Sequence, residues 1–193
     1  RETLQVNHPL ELAGGQKVHL IAWGYAPVVT VKDGDGNVAY SGAVIFLPQD
    51  GNFTSMGVIK APDARPKQLA FEGLFLPTAY IDPDQGPISV FPDTKSPALA
   101  MSMYTGELFP DGRPQSVFNI DTDQMTQLTD EEGNPVAMLI RPGEYFQLPD
   151  GTTVEFDGVI RWAGLLVRHD PGRIPALGFA IASTVGLALM LGI

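Results

Sequence analysis

The sequence predicts a mainly β protein, an antiparallel β sandwich or distorted barrel, with a C-terminal transmembrane helix. Three observations carry that reading. Runs of β-branched and aromatic residues recur between Gly, Pro, Asn and Asp clusters at roughly 8–12-residue spacing. Almost no stretch ahead of the tail has helical periodicity. The last 20 residues, 174–193, read IPALGFAIASTVGLALMLGI and carry no charge.

At about 1.5 Å of rise per residue, such a tail reaches ~30 Å, the thickness of a bilayer's hydrocarbon core. The chain therefore divides into a β domain, residues 1–172, and a transmembrane helix, residues 173–193. Pro175 falls in the first turn, where a missing N–H costs little, and Arg173 marks the boundary of water and lipid. A secretory signal belongs at the other end of a chain, and a core helix seldom stays uncharged on every face for so long. Gly178, Ala182 and Gly186 lie four apart beside the row Ala176, Ala180, Thr184 and Ala188, which makes one face smooth enough for another helix to approach.

Composition narrows the partners. Twelve Lys+Arg against 22 Asp+Glu leave a net charge of −10, all of it ahead of the tail, in enough chain for one domain with a real core. A negative surface argues against nucleic acid and suits the outer side of a membrane, since cytoplasmic flanks collect Lys and Arg. There is no cysteine, which excludes disulfides, thiolate metal sites, a Cys-x-x-Cys-His haem attachment and thiol catalysis within the chain. Arg1 opens in mid-strand sequence without a signal peptide, so the chain reads as part of something longer.

Along the chain, Leu4-Gln5-Val6 leads to His8-Pro9 and the Gly14-Gly15 turn, which delivers strands at 17–26 and 28–32. Asp33-Gly34-Asp35-Gly36-Asn37 then makes the clearest hairpin signal, with a strand at 38–42. A calcium loop would need Gly and Glu where Val38 and Val44 stand, so the Asp-rich run is turn chemistry. Further strands are expected at 44–47, 53–60 and 68–76, and Asn52-Phe53-Thr54 matches a glycosylation acceptor only by pattern. Residues 77–97, with five prolines, form a long surface excursion of the kind that contacts partners. In 97–105 the alternation puts Met101 and Met103 on one strand face, where thioethers fill a core more readily than they ligate iron or copper. A strand at 116–120 precedes a short helix at 121–128, capped by Asp121 or Thr122. Strands at 136–141, 145–148, 152–156 and 159–169 follow, separated by Pro-Gly, Asp-Gly and Asp-Gly turns.

No catalytic constellation stands out: the three histidines are far apart, no Gly-rich phosphate loop appears, and the carboxylates sit mostly in turns. His8 and His169 are the polar residues singled out. Each has a structural reading, His8 in the turn before Pro9 and His169 as a hydrogen-bond partner of the Asp170-Pro171-Gly172 turn. The functional reading puts His169 at the membrane's edge, where an imidazole can face haem or a neighbouring subunit. Besides a scaffold, an anchored extracellular ligand-binding or adhesion module and an anchored two-carboxylate hydrolase remain open.

Several stretches together resemble the ResB (CcsB) family of system II cytochrome c maturation. They are Val6-Asn7-His8-Pro9-Leu10, Gly24-Tyr25-Ala26-Pro27 with Val31-Lys32-Asp33-Gly34, Phe46-Leu47-Pro48-Gln49-Asp50, Phe75-Leu76-Pro77-Thr78, Pro114-Gln115-Ser116-Val117, and Arg161-Trp162 leading to His169-Asp170-Pro171-Gly172. The resemblance implies a multi-span protein of the cell membrane whose large extracytoplasmic domain precedes its last helix. It also implies a ResC (CcsA) partner bearing a tryptophan-rich haem motif, apocytochrome c as client, haem as the exported group, and a separate thioredoxin-like reductant. Neither the tryptophan-rich motif nor the family's membrane histidine lies in this chain. His8 and His169 are thus haem-proximal candidates, and the segment looks like a scaffold or docking surface in the complex.

Overall fold

The computed structural model describes residues 8–109, 112, 116–121, 125–130 and 132–192. The Leu4-Gln5-Val6 lead-in, the Thr122 cap and the Pro114-Gln115 pair lie outside the described residues. Thirteen strands and one helix follow in order: β1 (Leu10–Leu12), β2 (Gln16–Lys32), β3 (Val38–Ala43), β4 (Leu47–Pro48), β5 (Ser55–Ala61), β6 (Gln68–Leu76), β7 (Ala79–Asp82), β8 (Gly86–Ser89), β9 (Ala98–Gly106), β10 (Met125–Gln127), β11 (Ala137–Ile140), β12 (Tyr145–Gln147), β13 (Thr153–Arg168) and α1 (Arg173–Leu191). The protein is mainly β.

One sheet runs β1-β2-β13-β12 with β3 also on β2; a second runs β10-β9-β6-β5-β4 with β11 also on β9; β7 and β8 form a separate hairpin. Among the described residues neither large sheet closes on itself. Contacts divide the chain into two units, Gly24–Trp162 and the paired termini Arg1–Trp23 with Ala163–Ile193. β2 and β13 contribute to both.

Within Gly24–Trp162 the two sheets share one core. Val29 and Val31 of β2 and Val154 and Phe156 of β13 meet Ile59, Phe71, Phe75, Leu99, Met101 and Met103 of the other sheet, all at most 2 % exposed. From β6, Phe75 reaches across to two strands of the opposing sheet, with ring centres 5.5 Å from Tyr25 of β2 and 6.4 Å from Phe156 of β13, the second pair edge to face. The Met pair packs in this core, as the alternation predicts.

The acidic turns share one construction. Asp33, Asp50, Asp82, Asp130 and Asp150 each accept the backbone N–H two residues on at 2.9–3.1 Å. Three of them also take the N–H four residues on, from Asn37, Thr54 and Asn134. In those three the residue three on from the aspartate has positive φ: Gly36 at 82°, Phe53 at 58° and Gly133 at 84°. The carboxylates of these turns are therefore wired to the backbone.

Several expectations are corrected. Residues 116–120 form a turn, and where the helix at 121–128 was expected the chain makes β10, pairing Met125–Gln127 with Gly106–Tyr104 of β9. Met125 is buried beside Ala70 and Leu108, a long-range packing that overrides local helix signals. The strands at 17–26 and 28–32 are one, because Pro27 needs no N–H donor where its carbonyl takes Val44 N–H at 2.9 Å. The third Gly-containing turn, Asp157-Gly158, is absent: β13 runs through it, and Asp157 accepts the Thr30 hydroxyl at 2.8 Å. The strand at 44–47 shrinks to the two residues of β4. The excursion at 77–97 carries β7 and β8 and is tied down by Tyr25 OH on the Pro92 carbonyl at 2.9 Å and Thr78 OH on the Asp93 carbonyl at 2.6 Å.

α1 begins after Gly172 and ends at Gly192, whose φ of 71° and N–H to the Ala188 and Leu189 carbonyls close the helix. Its side chains face outward: Leu177 is 62 %, Phe179 74 % and Met190 86 % exposed. Among the described residues no helix is long and apolar enough to cross a membrane.

Candidate functional site

The site is built from the paired termini. Gly14 and Gly15, at φ 98° and 79°, turn β1 back onto β2, and Gly15 N–H closes the turn on the Leu12 carbonyl at 3.2 Å. Glu11 then stands opposite Lys17 and pairs with it at 2.7 Å. Both ends are well exposed, so this pair contributes at most about 1 kcal/mol. Successive strand side chains point to opposite faces, which puts Lys17 and His19 on one face of β2 while Val18, 8 % exposed, takes the other.

His19 and Arg168 are shared by two adjoining depressions. One, of about 190 Å³, is also lined by His8, Pro9 and Leu166. The other, of about 290 Å³, adds Gly15, Lys17 and Asp170. Of the two residues singled out from sequence, His8 is in this cluster. His169, exposed and just past the end of β13, lines neither depression. Sequence reasoning missed His19, Lys17 and Arg168. The signal that could have found the first two is the two-residue spacing of Lys17 and His19 in a run of β-formers.

Two imidazoles, a guanidinium and an ammonium can hold a carboxylate or phosphate, and a neutral imidazole can ligate iron. Both depressions fall below the ~300–1,000 Å³ of pockets that enclose a ligand. A tetrapyrrole would meet these residues at its edge and not be enclosed. Among the described residues no three His, Asp or Glu side chains gather as a metal-binding group.

A second convergence lies in Gly24–Trp162. Trp162 donates its indole N–H to the Phe46 carbonyl at 3.2 Å, and Arg161 reaches Asp93 at 3.8 Å with its guanidinium 5.9 Å from the Tyr25 ring centre. Segments far apart in sequence, 24–25, 46, 92–93 and 161–162, thus meet at one place. Their contacts here are with one another, a structural role.

Fold and site together define a cysteine-free, mainly antiparallel β protein in which imidazole and cationic groups gather beside the end of β13, ahead of an apolar helix in the sequence. The chain belongs to the ResB-like family, whose model matches residues 1–193. That membership ties it to cytochrome c biogenesis. Comparison with characterised proteins and with solved structures gives no match.

Proposed function

We propose that this chain is the membrane-anchored extracytoplasmic module of a ResB-like maturation protein. It serves as scaffold and docking surface for a ResC-type subunit and for apocytochrome c at the cell membrane. Haem is the cargo of the assembled complex, thioether formation belongs to other subunits, and a thioredoxin-like partner keeps the client's thiols reduced. The observation that carries the reading is the surface of α1. Leu177, Phe179, Ile181, Val185, Leu187, Leu189, Met190 and Leu191 are all more than half exposed, and the helix has no charge after Arg173. Uncovered apolar surface of that extent in water is unfavourable by roughly 25 cal/mol per Å², so lipid or a partner helix covers it. In this reading the charged edge of a passing haem meets His8, His19, Lys17 and Arg168, which line the two adjoining depressions.

Deleting residues 24–162 from the full-length protein is expected to abolish covalent haem in c-type cytochromes while the remaining protein still reaches the membrane. Normal covalent haem after that deletion would refute the reading. The absence of cysteine in this chain makes the anchor testable too. Leu187→Cys should resist a membrane-impermeant maleimide that labels Ser41→Cys, and equal labelling would remove the membrane from the proposal.

A further inference from the structure

β5 is hydrogen-bonded along its whole length on one side only. β6 opposes it from Ser55↔Phe75 to Ala61↔Leu69, whereas β4 opposes only Ser55 and Met56. In an antiparallel pair a residue's N–H and C=O point the same way, and successive residues alternate. Gln49 N–H donates to the Thr54 carbonyl at 2.8 Å, so Thr54, Met56, Val58 and Lys60 turn their backbone groups to the β4 side. β4 stops opposite Met56 because Phe46 leaves the sheet. Its N–H goes to the Tyr25 carbonyl at 3.3 Å, and its ring occupies the space above Gly57, 2.5 Å from where a Cβ would be. Among the described residues no hydrogen bond reaches the outward backbone groups of Val58 and Lys60.

These two residues line a groove of about 310 Å³ whose other walls include Val44, Ile45, Val117 and Phe118. Ile45, Val117 and Phe118 are 44 %, 67 % and 39 % exposed. Lys60 brings the one charged group of the lining. Its Nζ donates to the Ser116 carbonyl at 2.9 Å and lies 5.6 Å from the Phe109 ring centre. Burial pulls its ammonium below the ordinary lysine range, and among the described residues no carboxylate pairs with it.

An open strand edge is a template for another strand. We propose that this groove receives an extended peptide segment of a partner protein, which prolongs the line of β4 along β5 and sets an Asp or Glu side chain against Lys60. Val58 and Lys60 supply main-chain hydrogen bonds whatever the peptide's sequence. Ile45, Val117 and Phe118 accept apolar side chains at alternate positions, and Lys60 selects the acid. A small apolar acid would satisfy the lysine and the walls but leave both backbone pairs unmade, which is why a peptide is the occupant.

The test uses full-length protein in detergent micelles and a fluorescein-labelled heptapeptide, Thr-Val-Glu-Val-Thr-Val-Thr, beside a version with Lys in place of Glu. Fluorescence anisotropy should show saturable binding of the acidic peptide, at least about tenfold tighter than the basic one. Lys60→Glu should reverse that order. Val58→Pro removes an outward N–H at an edge where proline is tolerated, and should abolish binding of both peptides with the circular dichroism unchanged. No saturable binding, or equal binding of the two peptides, overturns the proposal. Binding that survives a folded Val58→Pro overturns it in favour of an apolar-acid pocket, and self-association lost in Val58→Pro without peptide binding overturns it in favour of a second copy. Should Val58→Pro fail to fold, the charge reversal at Lys60 decides.

Discussion

The indole of Trp162 occupies the space that a side chain at Gly24 would need: a Cβ there would lie 2.8 Å from Nε1 and 2.9 Å from Cε2 of the ring. The same ring N–H holds the Phe46 carbonyl, and the Phe46 ring in turn lies over Gly57. Two glycines thus make room for two aromatic rings. Gly24→Ala is expected to cost about 1–3 kcal/mol through overpacking. Trp162→Phe should cost about 0.5–1.5 kcal/mol for the lost hydrogen bond. The two changes should be non-additive in urea unfolding of the protein in detergent, since both act on one contact.

Acid should loosen the β2–β3 hairpin. Asp33 is 1 % exposed; burial pushes its carboxyl up, but donors on Asn37, Asp35 and Arg65 outweigh that and hold it below the usual carboxylate range. A carboxylate with a folded value below its unfolded one, about 3.9, adds stability above that pH and loses it as pH falls through the folded value. Asp33→Asn should therefore destabilise clearly at pH 7, with a difference from wild type that shrinks below about pH 4. Chemical unfolding at pH 7 and pH 3 measures this, and a difference that grows in acid would contradict the wiring.

Phe53 is the non-glycine residue with positive φ among the described residues, at the position that Gly36 and Gly133 fill in the matching turns. Left-handed backbone costs an ordinary residue about 1–2 kcal/mol, and Phe53 bears it because its ring sits edge-on to Tyr25 at 5.9 Å. Gly36→Ala and Gly133→Ala should each lose roughly that 1–2 kcal/mol. Phe53→Gly should also destabilise, since the lost ring contact exceeds the relieved strain; a gain in melting temperature would show the reverse.

The histidines should sort by place. His8→Ala and His19→Ala act on one depression and should be non-additive in haem-difference spectra of the full-length complex, whereas His169→Ala should add independently to either. Additive losses from His8 and His19 would break the link between them.

Much of the sheet structure was legible because the strands that form the core bury apolar residues between clear turn signals. β6 spans the predicted residues 68–76, and Met101 and Met103 face the core as alternation required. What failed depends on partners distant in sequence. β13 continues through Asp157-Gly158 because Thr30 on β2 binds Asp157, and β10 is a strand because β9 is its neighbour. His8 was visible as an unusual residue, but its association with His19 and Arg168 arises only when the two ends of the chain pair. The groove beside β5 likewise follows from where β4 stops, which the fit of Phe46 over Gly57 determines.

The five aspartates that bind backbone N–H groups two residues on change the meaning of the protein's acidity. That part of the negative charge is architectural, aimed inward at the chain's own corners. Exchanging those aspartates for alanine would raise the isoelectric point while unfastening the places where the strands reverse. At these five corners the groups that carry the charge are also the ones that hold the chain's reversals.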